Sequence, residues 1–195
     1  MKFSSIIDKS NVVLKPYKIG ICTLLLLVSG LSHGQNKDIS AGLELDVLPY
    51  IFEGYMGAGW IGFDRFRIRG LFAKVNMPEF MVDDDFTDKQ IKSTAIILDY
   101  FFNEFQSGFW IGAGGVYWNE QIQSKENLER ANYKSYLLNG SFGYVWNLSK
   151  RIYLSPWTGL SLRIGGDKNI NVGGFNYKPP VFNPEFSLKV GFRIL

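Results

Sequence analysis

Through residues 39–195, apolar and polar side chains repeatedly alternate with a period of two, and that rhythm admits strands rather than helices. In the last segment Phe186, Leu188, Val190, Phe192 and Ile194 are apolar, whereas Ser187, Lys189, Gly191 and Arg193 are polar or small. Ile39, Ala41, Leu43, Leu45 and Val47 alternate in the same way with Ser40, Gly42, Glu44 and Asp46. A third case sets Ile152, Leu154, Leu160, Leu162 and Ile164 against Arg151, Ser155, Gly159, Ser161 and Arg163. Successive side chains of a strand leave opposite faces, so each such segment has one greasy face and one polar face.

Eight strands are expected, at 39–48, 54–63, 66–76, 91–102, 108–118, 133–146, 150–164 and 184–195. Most exceed the usual ~5–6 residues of a soluble strand and suit the ~9–11 needed to cross a bilayer at a tilt. On these bounds the connections span about 5, 2, 14, 5, 14, 3 and 19 residues. The even-numbered ones are all short and the odd-numbered ones, apart from the first, are long. Barrels of outer membranes segregate their loops in this way, with short turns on the periplasmic side.

Residues 1–34 have the pattern of a cleaved signal peptide, leaving 35–195 as one domain. Lys2, Lys9, Lys15 and Lys18 precede the uncharged stretch from Ile19 to Leu31, and Ser32 and Gly34 set small residues before a cleavage point near Gln35. A stretch of this length reaches only about 20 Å as a helix, short of a ~30 Å hydrocarbon core. The leader holds four Lys and one Asp, so removing it from 21 basic and 18 acidic residues leaves seventeen of each. The basic charge of the whole chain therefore belongs to the leader, and no global case for nucleic-acid binding exists. The single Cys22 and the single His33 also leave with it. A processed chain without cysteine cannot use disulfides for stability, and must rely on a large core, a closed sheet or a membrane.

A closed sheet gives every strand two neighbours and leaves no backbone group unpaired in lipid. Aromatics collect at strand ends, with Phe63, Phe66, Tyr100, Phe102, Phe109, Trp146 and Tyr153 near the short turns. Tyr50, Tyr55, Tyr117, Trp118 and Tyr133 gather near the longer loops. Two such groups are expected to form the girdles of a bilayer's two interfaces. The inward face is expected to carry Glu44, Asp46, Arg67, Arg69, Asp99, Arg163, Lys189 and Arg193. Glu44 and Asp46 are expected to meet Lys189 and Arg193 across the seam between first and last strands. Eight strands leave an interior just wide enough for side chains, so a charged plug is expected over an open path. Pro156 falls inside a strand of a sheet without edges and is expected to need a bulge.

The alternating strands, the leader and the segment from Phe186 to Leu195 resemble the small bacterial outer-membrane barrels of the OmpA/OmpX type. Gly191, Phe192 and Ile194 resemble the strand signal that outer-membrane assembly machinery reads in that class, although Leu195 replaces the usual final aromatic. The resemblance is architectural and covers 38–195. It implies an all-β, antiparallel, up-and-down transmembrane barrel in a Gram-negative outer membrane, with lipids and the assembly machinery as partners. It carries no function with it.

The enzymes of that class resemble hydrolases or acyltransferases with a histidine-assisted nucleophile, and the processed chain has no histidine. No catalytic residue, metal or cofactor is therefore expected. The acidic run Asp83, Asp84, Asp85 with Asp88 lacks the glycine and terminal Glu of a calcium loop and is expected to be solvated. Gly112 to Gly115 precedes no helix and is expected to make room for neighbouring rings. Loops 77–90, 119–132 and 165–183 are the places to contact a surface ligand. The functional expectation is a structural or surface-interaction protein of the outer membrane with a plugged lumen. Two others stand beside it: a narrow porin-like pore or a carrier for a small or hydrophobic solute, and a soluble periplasmic lipocalin-like binder.

Overall fold

The computed structural model describes residues 39–195; the expected leader and its cleavage site lie outside the described residues. Eight antiparallel strands close into a ring: β1 (Ile39–Asp46), β2 (Tyr55–Phe63), β3 (Phe66–Asn76), β4 (Phe86–Phe101), β5 (Gly108–Ser124), β6 (Arg130–Asn147), β7 (Ile152–Gly166) and β10 (Phe182–Arg193). Each strand pairs with its neighbours in sequence, and β1 closes on β10 with Leu43 opposite Phe192 and Asp46 opposite Lys189. The connection between β7 and β10 carries a small hairpin, β8 (Ile170–Val172) and β9 (Phe175–Tyr177), turned by Gly173 and Gly174 at positive φ. Two residues at positive φ are what a tight hairpin turn requires. A short helix, α1 (Val47–Ile51), follows β1 and is capped by Asp46. The expected fold is therefore the observed one.

The outward face is apolar over most of its height. Leu43, Ile61, Ile68, Phe72, Ile96, Leu138, Leu160 and Phe186 are all exposed. At the short-turn end Phe63, Phe66, Phe102, Phe109 and Trp146 form an exposed aromatic rim. Three rings expected in the girdles instead point inward: Tyr153, Trp118 and Tyr133 are buried. Trp118 and Tyr133 lie in strands with apolar residues on both faces, whereas Tyr153 shares the inward face of β7 with Ser155 and was misplaced by its position near a short turn.

β4, β5 and β6 are longer than expected, at 16, 17 and 18 residues. Residues 119–132 are therefore mostly strand, with only 125–129 as a turn, and 86–90 belong to β4. The reason is a change in the outward face. Below Asn119 the outward residues of β5 include Phe109, Ile111, Ala113 and Tyr117. Above it, outward Asn119, Gln121 and Gln123 are polar, while inward Ile122 is fully buried. The strand continues while its outward face turns from apolar to polar and its inward face stays mixed, with Trp110, Val116 and Trp118 below and Glu120, Ile122 and Ser124 above.

Pro156 needs no bulge. It is exposed and faces outward, opposite Leu188 of β10. Toward β6 the ladder simply skips Tyr144 and Val145 and resumes at Trp146 opposite Leu154, in unchanged register. The register shift of that strand pair falls elsewhere, between Tyr136 and Leu137.

Candidate functional site

The inward face divides into three levels. The lowest, toward the short turns, is an ion lattice. β3 aims Arg67 and Arg69 inward two residues apart, β4 brings Asp99 opposite Arg67, and β1 supplies Glu44. Arg67 Nε donates to Asp99 Oδ2 at 2.9 Å and its Nη1 to Glu44 Oε1 at 2.9 Å. Arg69 Nη2 donates to Asp99 Oδ1 at 2.9 Å and its Nη1 to Glu44 Oε2 at 3.3 Å. Each carboxylate thus bridges both guanidinium groups, and all four side chains are at most 2% exposed. Tyr153 OH completes the set by donating to Glu44 Oε1 at 2.8 Å. Charge-assisted bonds that bridge each carboxylate to both guanidinium groups are what make charge burial tolerable.

Aromatic rings floor and roof the lattice. The Arg67 guanidinium carbon lies 4.9 Å from the Phe101 ring centroid and 5.4 Å from that of Trp60. Trp110 lies 5.1 Å from the Arg69 guanidinium carbon and donates from Nε1 to Ser155 Oγ at 3.2 Å. These large rings fit because glycines face them across the sheet. A Cβ on Gly143 would lie 2.6 Å from Trp110, and one on Gly191 only 2.0 Å from Tyr153.

Lys189 and Asp46 sit one level further out. The register sets them opposite one another, but among the described residues they form no ion pair. Instead Lys189 Nζ lies 4.3 Å from the Trp157 ring centroid and 4.9 Å from that of Trp110. Trp157 Nε1 donates to Asp46 Oδ2 at 2.9 Å, and Ser187 Oγ donates to Asp46 Oδ1. The expected pairing of Glu44 and Asp46 with Lys189 and Arg193 is thus replaced by pairing with β3 and with tryptophan. Arg193 is half-buried, stacks 4.9 Å from the Tyr153 centroid and donates to the Gln106 carbonyl. Arg163 lies apart, at the far end of the barrel, where it donates to Ser135 Oγ and to the Asp167 carbonyl. Six of the eight expected lumen residues therefore gather in adjacent layers, and Arg163 and Arg193 stand at opposite ends.

Above this plug lies a half-open chamber of about 300 Å³. Met56, Leu71, Val75, Ile91, Trp118 and Trp157 line much of it, with Asp46, Lys89 and Glu185 as its charged members. The third level is a head built on the long ends of β4, β5 and β6. Phe86, Ile122 and Tyr133 pack there with Ile170, Val172 and Tyr177 of the β8–β9 hairpin. Within the head, Glu120 accepts from Tyr133 at 2.9 Å and from Ser135 at 2.7 Å, and Lys89 Nζ donates to Tyr177 OH at 3.0 Å. Burial beside the Glu120 carboxylate holds the Tyr133 phenol far above its ordinary pKa, so it stays a donor.

Sequence reasoning missed the rings of the plug and all of the head. Trp110 and Gly143 carried a usable signal, a large residue opposite a glycine in neighbouring strands. The acidic run does not gather: Asp88 pairs with Arg130 at 2.9 Å, and Asp83 and Asp85 are in the preceding turn. Among the described residues, no three His, Cys, Asp or Glu side chains are placed to hold a metal ion.

No protein family matches the chain, and no curated protein does. Among solved structures, the crystal structure of Neisserial surface protein A is similar, with a TM-score of 0.45 and 13% identity over 79% of this chain and 94% of that one. The fold assigned above rests on the strand pairings alone.

Proposed function

We propose that this protein is an integral outer-membrane barrel with a structural or surface-interaction role, and that its lumen does not conduct. The observation that carries the reading is the closed lower lumen: two arginines and two carboxylates, each pair bridged twice, between layers of tryptophan, tyrosine and phenylalanine. Side chains fill an eight-stranded ring, and here they fill it with groups that hold one another. The apolar outward belt and its aromatic rim support placement in lipid. They argue against a soluble lipocalin-like binder, whose outer face would meet water. A leader at 1–34, export and folding by the assembly machinery belong to the same proposal. So does the absence of enzymatic activity, which rests on the missing histidine and on a lumen whose carboxylates are all engaged.

The test is conductance in planar bilayers after reconstitution. No discrete current steps are expected from the native chain, and Arg67→Ser with Arg69→Ser should introduce them if it folds. Steps from the native chain would overturn the closed-lumen reading. Resistance of the native chain to carbonate extraction tests the membrane placement separately.

A second reading is supported by the chamber. Its volume and its methionine, leucine and tryptophan lining suit a small apolar solute bound above the plug. Quenching of Trp118 and Trp157 fluorescence by a brominated alkane, absent in Leu71→Trp, would support that reading.

A further inference from the structure

One stretch of the outward face is unlike the rest. Lys74 of β3, Lys92 of β4, Asn119 of β5 and Lys134 of β6 are consecutive partners in the ladder, so they form a single row around the barrel. The row lies where the outward face turns from apolar to polar. Lys74 stands directly opposite Lys92, and like charges so placed repel. Among the described residues, none of the three ammonium groups has an ion pair. The nearby acids are engaged: Asp88 pairs with Arg130 and accepts from Gln90, and Asp167 accepts from the Lys134 backbone N–H. Three ammonium groups without an ion-pair partner among the described residues leave room for an anion from outside the chain.

Two concavities on the same three strands flank this row. Above it is a small polar one of about 70 Å³, lined by Gln90, Lys92, Asn119, Gln121 and Asn132, with Glu120 contributing at its back. The Glu120 carboxylate faces the lumen, bonded to Tyr133 and Ser135, so the concavity presents amides and an ammonium. Below the row is an open apolar groove of about 460 Å³, lined among others by Thr94, Ile96, Gly115, Tyr136, Leu138 and Ile164. Its floor is Gly115, held between Ile96 and Leu138, and a Cβ built there meets nothing within 4 Å. Tyr117 and Tyr136, with ring centroids 5.5 Å apart, stand between floor and row. Asn119 lies four steps along the strand from Gly115, about 14 Å. Cation and amides above, phenols between and a greasy trough below match an amphiphile with an anionic head and an acyl tail.

We propose that the outer face of β4, β5 and β6 seats one phosphorylated lipid of the outer leaflet. Its phosphate sits on Lys92 and Lys134 with the Asn119, Gln121 and Asn132 amides, and an acyl chain lies over Gly115. Lys74 completes the field from β3. This seat rests on the membrane reading given above, and the test separates the two.

The native chain is reconstituted in vesicles of phosphatidylcholine containing a minor fraction of diphosphorylated lipid A, then extracted in a mild zwitterionic detergent, and retained lipid is counted by native mass spectrometry. One lipid A per barrel is expected. Lys92→Gln and Lys134→Gln should each weaken retention roughly fivefold, and the pair roughly twenty-five-fold. Gly115→Leu places a side chain in the trough from a Cβ that meets nothing within 4 Å, and should also abolish retention while leaving the folded gel mobility unchanged. Lys150→Gln, at a short turn, makes the same charge change and should have no effect. Inorganic phosphate should not displace the lipid, and displacement by it would overturn the acyl half of the seat. Equal retention by the native chain and Lys92→Gln/Lys134→Gln, or retention unaffected by Gly115→Leu, overturns the proposal. Carbonate extraction of the same vesicles reports membrane integration independently: an integrated barrel without bound lipid sinks only the seat, and a chain that washes off sinks the membrane reading beneath it.

Discussion

The plug and the head are both buried, yet they are built from opposite materials. The plug holds Glu44, Arg67, Arg69 and Asp99 in a lattice packed by the rings of Trp60, Phe101, Trp110 and Tyr153. The head holds Phe86, Ile122, Ile170 and Val172 in an ordinary hydrophobic cluster, with Lys89 and Glu120 at its margin. The difference follows from what surrounds each. Around the plug the outward face is apolar, so the polar complement of an alternating strand must go inside. Around the head the outward face carries Gln121, Asn132 and Arg130, so the apolar complement goes inside. A plug of this kind derives its stability from pairing, and the head derives it from expelling water. Removing one member therefore costs differently in the two places.

The largest effect is expected in the lattice. Arg67→Met leaves Glu44 and Asp99 each short of a partner in a closed interior, and should cost about 3–5 kcal/mol. Urea titration of the folded barrel in detergent reads this directly, and a loss under ~1 kcal/mol would mean that the lattice is not the element holding the lower barrel. Next comes the packing of rings on glycine. Gly143→Val forces Trp110 away and should cost about 1–3 kcal/mol in the same titration, with Trp110 fluorescence shifting in step. In the head, Tyr177→Ala removes the ring shared by Phe86 and Tyr133. Cleavage within 167–181 by a protease should accelerate at least tenfold while the urea midpoint of the barrel stays in place. A midpoint that falls with it would show head and barrel to be one cooperative unit. The smallest effect is expected at the pair on the head's outer surface, where both partners are substantially exposed. Asp88→Asn should change stability by about 0–1 kcal/mol, and less in high salt.

The same contrast explains how much could be read in advance. Where the outward face is apolar, as in β1, β7 and β10, alternation located the strands and sent Glu44, Asp46 and Lys189 inward without any knowledge of neighbours. In β5 the reading stopped near Trp118 because the outward residues Asn119, Gln121 and Gln123 turn polar just beyond it, and a polar run looks like a loop. Trp110 and Trp118 were harder to place, because their strand carries apolar residues on both faces. An aromatic ring suits a bilayer interface and a lumen equally well, and at Trp110 it is Gly143 on the neighbouring strand that leaves room inside.

The linear order of residues determined that this chain makes long alternating strands, enough of them to close, and that its charges must face away from grease. Those consequences follow from the two-residue period and from the cost of leaving backbone groups unpaired, and both act locally. Which charge meets which was decided only by the closed ring. The shear of the sheet brought Arg67 and Arg69 of β3 to Glu44 of β1 and Asp99 of β4, and turned Lys189 to Trp110 and Trp157 instead of Asp46. Partners across a lumen are set by strand register and ring diameter, and neither quantity is written in any single segment.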